Sequence, residues 1–194
     1  MRIFLWGLIL TIILLIGVAH IATPFLRHKQ IYHALPIHKT LYLDRNIDDD
    51  ELFHIMQAAM EWKHATNGQV VLDIKRLPRP YIPLTNAIIV INVSPEYPDI
   101  LMLDNGKGPN TLGYCNSAAS IEFIELVNDR MNEENSTSVV LHELGHALGL
   151  EHTAEVGTLM YPVYDEGSNH ITSSDLKQFC KLYHCDPSKF HGDP

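Results

Sequence analysis

Residues 142–152 read His-Glu-Leu-Gly-His-Ala-Leu-Gly-Leu-Glu-His, and this stretch constrains the chain more than any other. On a helix, His142 and His146 are i and i+4, so their imidazoles leave one face about one turn apart. That separation lets both bind one tetrahedral metal ion at ~2.0–2.1 Å. Glu143 sits about 100° further round the helix, off the ligand face yet within reach of a water held at the ion. Gly149 marks the helix end, because glycine takes the left-handed conformation without a Cβ clash. The chain then turns and returns His152 to the same ion, which a continuous helix would not do. With 12 histidines in the chain, a bare His-Glu-x-x-His can arise by accident; the glycine and third histidine at fixed offsets make the pattern specific. It calls for one catalytic Zn2+ held by His142, His146 and His152, with Glu143 as general base.

Just downstream, residues 157–164 read Gly-Thr-Leu-Met-Tyr-Pro-Val-Tyr. Here the chain resembles the metzincin metallopeptidases, and within that clan the matrixin group, whose signature is the long zinc motif followed by a methionine turn. The resemblance puts Met160 beneath the metal as an apolar floor, and Pro162 and Tyr164 in the outer wall of the specificity pocket. Taken alone, Met160 reads as an ordinary core methionine. The implied fold class is α/β (α+β), a twisted mixed sheet of about five strands with about three helices. The implied activity is hydrolysis of peptide bonds in extended polypeptides, Glu143 taking a proton from water at the metal and carrying it to the leaving amine. Two other classes fit the same tripod. One is a zinc hydrolase of a non-protein amide, in a cell-wall or small-molecule substrate; the other is a binding protein that keeps the fold without turnover.

The chain also departs from the matrixin pattern. No cysteine precedes Ile37, so the group's cysteine-based latency through a pro-segment is not expected. Residues 95–120 lack the histidine and aspartate set that binds a second, structural zinc in many relatives, and no calcium site is legible. The chain reads as a minimal relative.

Arg2 is followed by an uncharged run to Leu26 whose apolar heart, Ile3–Ala19, is 17 residues long. Signal-peptide cores are ~7–15 residues and spanning helices ~17–25. Residues 1–26 therefore read as a membrane anchor or a signal peptide, 27–36 as a linker and 37–194 as a catalytic domain outside the cytoplasm, anchored or secreted. What remains is long enough for one sizeable core. A net charge of −9 without a basic stripe excludes nucleic acid as a partner. The expected partners are a polypeptide substrate and, if the first segment stays uncleaved, the membrane; the domain is expected to be monomeric.

Strand patterns fall at 37–43, 70–74, 87–93, 111–115 and 121–126. A helix from Asp48 to about Thr66 carries Leu52, Ile55, Met56, Ala59 and Trp62 as its apolar stripe. The acidic run Asp48–Glu51 suits a helix N-terminus better than a calcium site, and Asn67-Gly68 ends the helix. The zinc helix takes its N-cap within 135–138 and runs to about Leu148; a last helix starts near Ser173 or Ser174. By the resemblance, 111–115 is the antiparallel edge strand of the cleft, which makes Leu112 and Gly113 candidates for binding an extended substrate. Cys180 and Cys185 are the nearest of the three cysteines and can close if the last helix ends near His184, though connectivity stays open. The nine other histidines show no ligand spacing among themselves.

Overall fold

Ile37, Leu41 and Leu43 are all buried, the alternation of a strand with one face against a core. They lie on β1 (Ile37–Leu43) of the computed structural model, which describes residues 35–78, 86–92, 111–118, 121–127, 130–164 and 169–192. The anchor-or-signal segment, most of the linker and the loop 95–110 lie outside the described residues. Among the described residues no helix is long and apolar enough to cross a membrane.

The chain continues through α1 (Asp49–Ala65), β2 (Val70–Arg76), β3 (Ala87–Asn92), β4 (Gly113–Ala118), β5 (Ile121–Leu126), α2 (Ser136–Ala147) and α3 (Ser173–Tyr183). The strands form one mixed sheet in the order β2-β1-β3-β5-β4. β1, β2, β3 and β5 run parallel, and β4 closes one edge antiparallel to β5. Parallel neighbours need a crossover, and α1 supplies the one between β1 and β2. Ala87–Val90 of β3 are all buried, as a central strand requires. This is the α/β class that the resemblance implies.

A capping box starts α1: Glu51 N donates to Asp48 Oδ1 at 2.9 Å, and Asp48 N to Glu51 Oε2 at 3.0 Å, satisfying two otherwise orphaned amides. Asn67 and Gly68 then leave the helix at φ 51° and 74°. The buried face of α1 is Ile55, Ala58, Ala59, Trp62 and Ala65. The expected stripe errs at Met56, which is 46% exposed, because the helix packs through the neighbouring alanines against α2 and β2. Trp62 Nε1 donates to Leu141 O at 3.1 Å in the core, tying α1 to the turn of α2 that precedes His142.

Two strand bounds also shift. β2 runs to Arg76, not to residue 74, extended where Leu77 N donates to Leu43 O at 2.9 Å. β4 begins at Gly113 and reaches Ala118, not 111–115, because its ladder is set by pairing with all of β5. α3 opens on a second capping box, Thr172 with Asp175, and ends at His184 in the left-handed conformation. That reversal brings Cys180 and Cys185 together as a disulfide, Cα atoms 4.5 Å apart; Cys115 is the free cysteine.

Candidate metal centre

Asn135 caps α2, and its side chain turns back to accept from Asn132 N at 2.8 Å. The helix then runs unbroken through His142 and His146. Its end is a Schellman motif: Gly149 N donates to His146 O at 2.8 Å and Leu150 N to Gly145 O at 2.9 Å, with Gly149 at φ 90°. A side chain at 149 would be strained in that conformation. The reversal carries His152 back over the helix. Its Nε2 stands 3.2 Å from His142 Nε2 and 3.1 Å from His146 Nε2.

The other ring nitrogens fix what these atoms can do. His142 Nδ1 donates to Leu159 O at 2.6 Å and His146 Nδ1 to Leu150 O at 2.8 Å. A carbonyl only accepts, so both rings carry their proton on Nδ1 and aim an Nε2 lone pair at His152. A proton on His152 Nε2 could serve one of them, not both. Burial depresses the pKa of all three, that of His142 to about 4, so the rings are neutral near pH 7. Three neutral nitrogens at this separation are nearly those of a tetrahedral Zn2+ shell, whose ligands stand about 3.3 Å apart. The donor set fits zinc. Among the described residues it is the one group of three histidine, cysteine or acidic side chains whose ligating atoms converge in this way.

Glu143 projects from the same turn toward β4 and is 5% exposed. A Cβ placed on Gly113 would stand 2.8 Å from Glu143 Oε1 and 3.0 Å from Val139 Cγ1. A methyl group at 113 would make Glu143 or Val139 shift. Below the helix, Met160 is fully buried, and a Cβ on Gly145 would stand 2.5 Å from its Sδ. Met160 lies in a turn closed by Tyr161 N donating to Thr158 O at 3.2 Å.

The matrixin family model matches residues 23–184. This chain belongs to the matrixin family. Its relatives include the interstitial collagenase of Aquarana catesbeiana, 45% identical over 58 residues, and the stromelysin-1 of Rattus norvegicus, 36% identical over 80. These matches take in 30% and 39% of this chain but only 15% and 16% of those proteins. The crystal structure of archaemetzincin from Methanopyrus kandleri aligns with a TM-score of 0.50 at 13% identity, over 76% of this chain and 97% of that one, a likeness of fold alone.

Two residues that hold the matrixin site together escape a reading of the sequence. Asp175, 2% exposed, accepts from Leu159 N and Met160 N, each at 3.1 Å, and from Thr172 N at 2.9 Å. One carboxylate thereby joins the Met160 turn to α3, and through Leu159 O it reaches His142. Thr172-x-x-Asp175 is legible as a cap; its second duty depends on tertiary packing. Lys39 lies on the face of β1 that carries buried Ile37, Leu41 and Leu43, and its Nζ donates to Ala147 O at 3.3 Å. A cation there complements the C-terminal end of the ligand helix. Burial lowers its pKa, while Glu122 and Cys115 pull the other way.

Cys115 is not among the converging donors. Burial, then Glu143 and Glu122, push its thiol far above the ordinary range. Pro162 is exposed, and Tyr164 Oη donates to Glu134 O at 3.4 Å. Leu112 O accepts from Val127 N at 2.9 Å, continuing the β4–β5 ladder. For these three residues a contact with substrate is an expectation carried by the family.

Proposed function

We propose that this matrixin is a zinc-dependent endopeptidase that cleaves extended polypeptides. The observation that carries the reading is the convergence of three Nε2 atoms, with Glu143 next to His142 on the same helix. His142, His146 and His152 would hold the ion, their neutral state leaving its full charge in place. When bound, zinc supplies Lewis acidity, lowering the pKa of water to about 7 and polarising a carbonyl. Glu143 accepts the proton of the attacking water and delivers it to the departing amine. The packing of Gly113 against its carboxylate keeps that group pointed for both transfers. β4 is the sheet's edge, so its outer backbone groups offer an extended peptide a strand to join. Met160 would serve as the floor of the methionine turn, and Pro162 and Tyr164 as the wall of the specificity pocket.

We place this activity outside the cytoplasm, anchored or released. The Cys180–Cys185 bridge supports that reading, since disulfides persist in oxidising compartments.

The test is Glu143→Ala, with zinc content measured beside cleavage of a peptide library by mass spectrometry. Hydrolysis is expected to disappear while zinc stays stoichiometric; undiminished turnover would overturn the assignment. His142→Ala should lose the metal itself.

A further inference from the structure

His142 and His146 share a helix, and a backbone carbonyl accepts from Nδ1 of each ring. His152 has neither support. It lies on the loop beyond Gly149 and is exposed. Among the described residues, the hydrogen-bond partners of its ring are the other two ligands alone. The backbone that carries His152 must then place its Nε2. Whatever fixes residues 151–153 fixes the third ligand.

That hold comes from α3. Gln178 Oε1 accepts from Glu151 N at 2.7 Å, and Gln178 Nε2 donates to Glu151 O at 3.0 Å. One side chain thus meets both backbone groups of the residue before His152, as a neighbouring strand would. The match is chemical as well as spatial: a carboxamide offers a donor and an acceptor side by side, whereas a carboxylate of the same length only accepts. Ser174 is four residues earlier on the same helix face, and its Oγ donates to Glu155 Oε2 at 2.6 Å. Beyond His152, Thr153 N donates to Met160 O at 2.9 Å, and Met160 N is itself held by Asp175. The loop is therefore pinned on both sides of His152, and both pins lead to α3.

We propose that Gln178 is the positioning residue of the third ligand: by gripping Glu151 it sets where His152 Nε2 stands, and so how tightly the site holds zinc. Ser174 steadies the far side of the same loop. The inference rests on the triad holding zinc and is independent of which bond is cleaved. Both bonds to Glu151 are exposed, so water satisfies its backbone when the amide is removed. What is lost is the direction of the loop.

The test is the zinc affinity of the full chain at neutral pH, read by competition with a chromophoric chelator. Two variants are compared with wild type: Gln178→Ala, and the near-isosteric Gln178→Glu, which keeps an acceptor for Glu151 N but sets an oxygen against Glu151 O. Both are expected to bind zinc about 10–100-fold more weakly, the range for loss of a group that orients a ligand. A general loosening of the fold would weaken zinc binding too, so the decisive measurement is made in a His152→Ala background. There Gln178→Ala is expected to cause no further loss, because its route to the metal has gone. Wild-type affinity in both single variants, or a loss in Gln178→Ala that is undiminished in the His152→Ala background, overturns the proposal. Wild-type protein that holds zinc tightly and cleaves no peptide would instead overturn the endopeptidase reading and leave Gln178 in its role.

Discussion

Gly113 and Glu143 meet across the gap between β4 and α2, with room for a hydrogen where any other residue carries a carbon. The conformational freedom of glycine is not the issue at this position; the close approach is. An edge strand that passes beside a carboxylate in this way fixes where that carboxylate points.

Gly113→Ala should therefore act on catalysis before it acts on metal binding. The added methyl group pushes Glu143 aside, and if Glu143 is the general base proposed above, a displacement of about 1 Å costs about 10²-fold in rate. The expected outcome is a fall in kcat of that order, with zinc content unchanged. Equal losses of zinc and of activity would show that the strand supports the ligand helix and not Glu143.

Asp175→Ala removes the acceptor for two buried amides of the Met160 turn and for Thr172 N. An unsatisfied buried donor costs about 1–3 kcal/mol, so the midpoint of urea unfolding should fall markedly. Leu159 O loses its fixed position, and with it the partner of His142 Nδ1. Loss of such a supporting partner weakens metal binding about 10–100-fold, which a competitive chelator would measure. Unchanged zinc affinity would confine Asp175 to capping α3.

The metal-free protein should lose stability in acid for a reason legible at His142. Burial lowers its pKa from 6.5 to about 4, so the folded ring resists a proton that the unfolded chain accepts. Where the unfolded state binds more protons, stability falls as pH falls. The loss begins near pH 6.5 and is complete below about pH 4. His146 and His152 are shifted the same way by burial and steepen it. Urea unfolding of chelator-treated protein across this range gives the slope, which His142→Asn should flatten. Equal slopes in the two proteins would remove the explanation.

What the sequence makes legible here is mostly local. The spacing of His142, His146, Gly149 and His152 encodes its own geometry, since helix periodicity and one left-handed residue suffice to bring the three rings together. β1 and β3 are readable from local pattern too: Leu41 and Leu43 alternate about Tyr42, and Ala87–Ile91 is an unbroken apolar run. Packing between distant segments is another matter. Asp175 looks like a helix cap and also holds the Met160 turn. Lys39 interrupts an apolar row, and its reason is a carbonyl 108 residues away. Met56 sits at proper helical spacing and still faces solvent, because Ala58 and Ala59 take the contact. In each case the deciding partner is remote in sequence, and no periodicity reports it.

Gly145 and Met160 offer the sharpest test of that remote packing. Gly145→Ala puts a methyl group where Met160 Sδ now lies, with Trp62 3.5 Å away on another side. Overpacking of a filled core costs about 1–3 kcal/mol, but methionine is unbranched and adapts its rotamers, so the cost should fall at the low end. Met160→Ala leaves a cavity instead and should cost about 2–5 kcal/mol. In the double variant the new methyl group enters the vacated space, so the two losses should not add. Their interaction energy, read from a double-mutant cycle of urea unfolding, is expected to be favourable and above about 0.5 kcal/mol. Simple additivity would mean that Met160 does not press on the ligand helix at Gly145. In that case its burial reflects core filling alone, and its assignment as the floor of the metal site would fail.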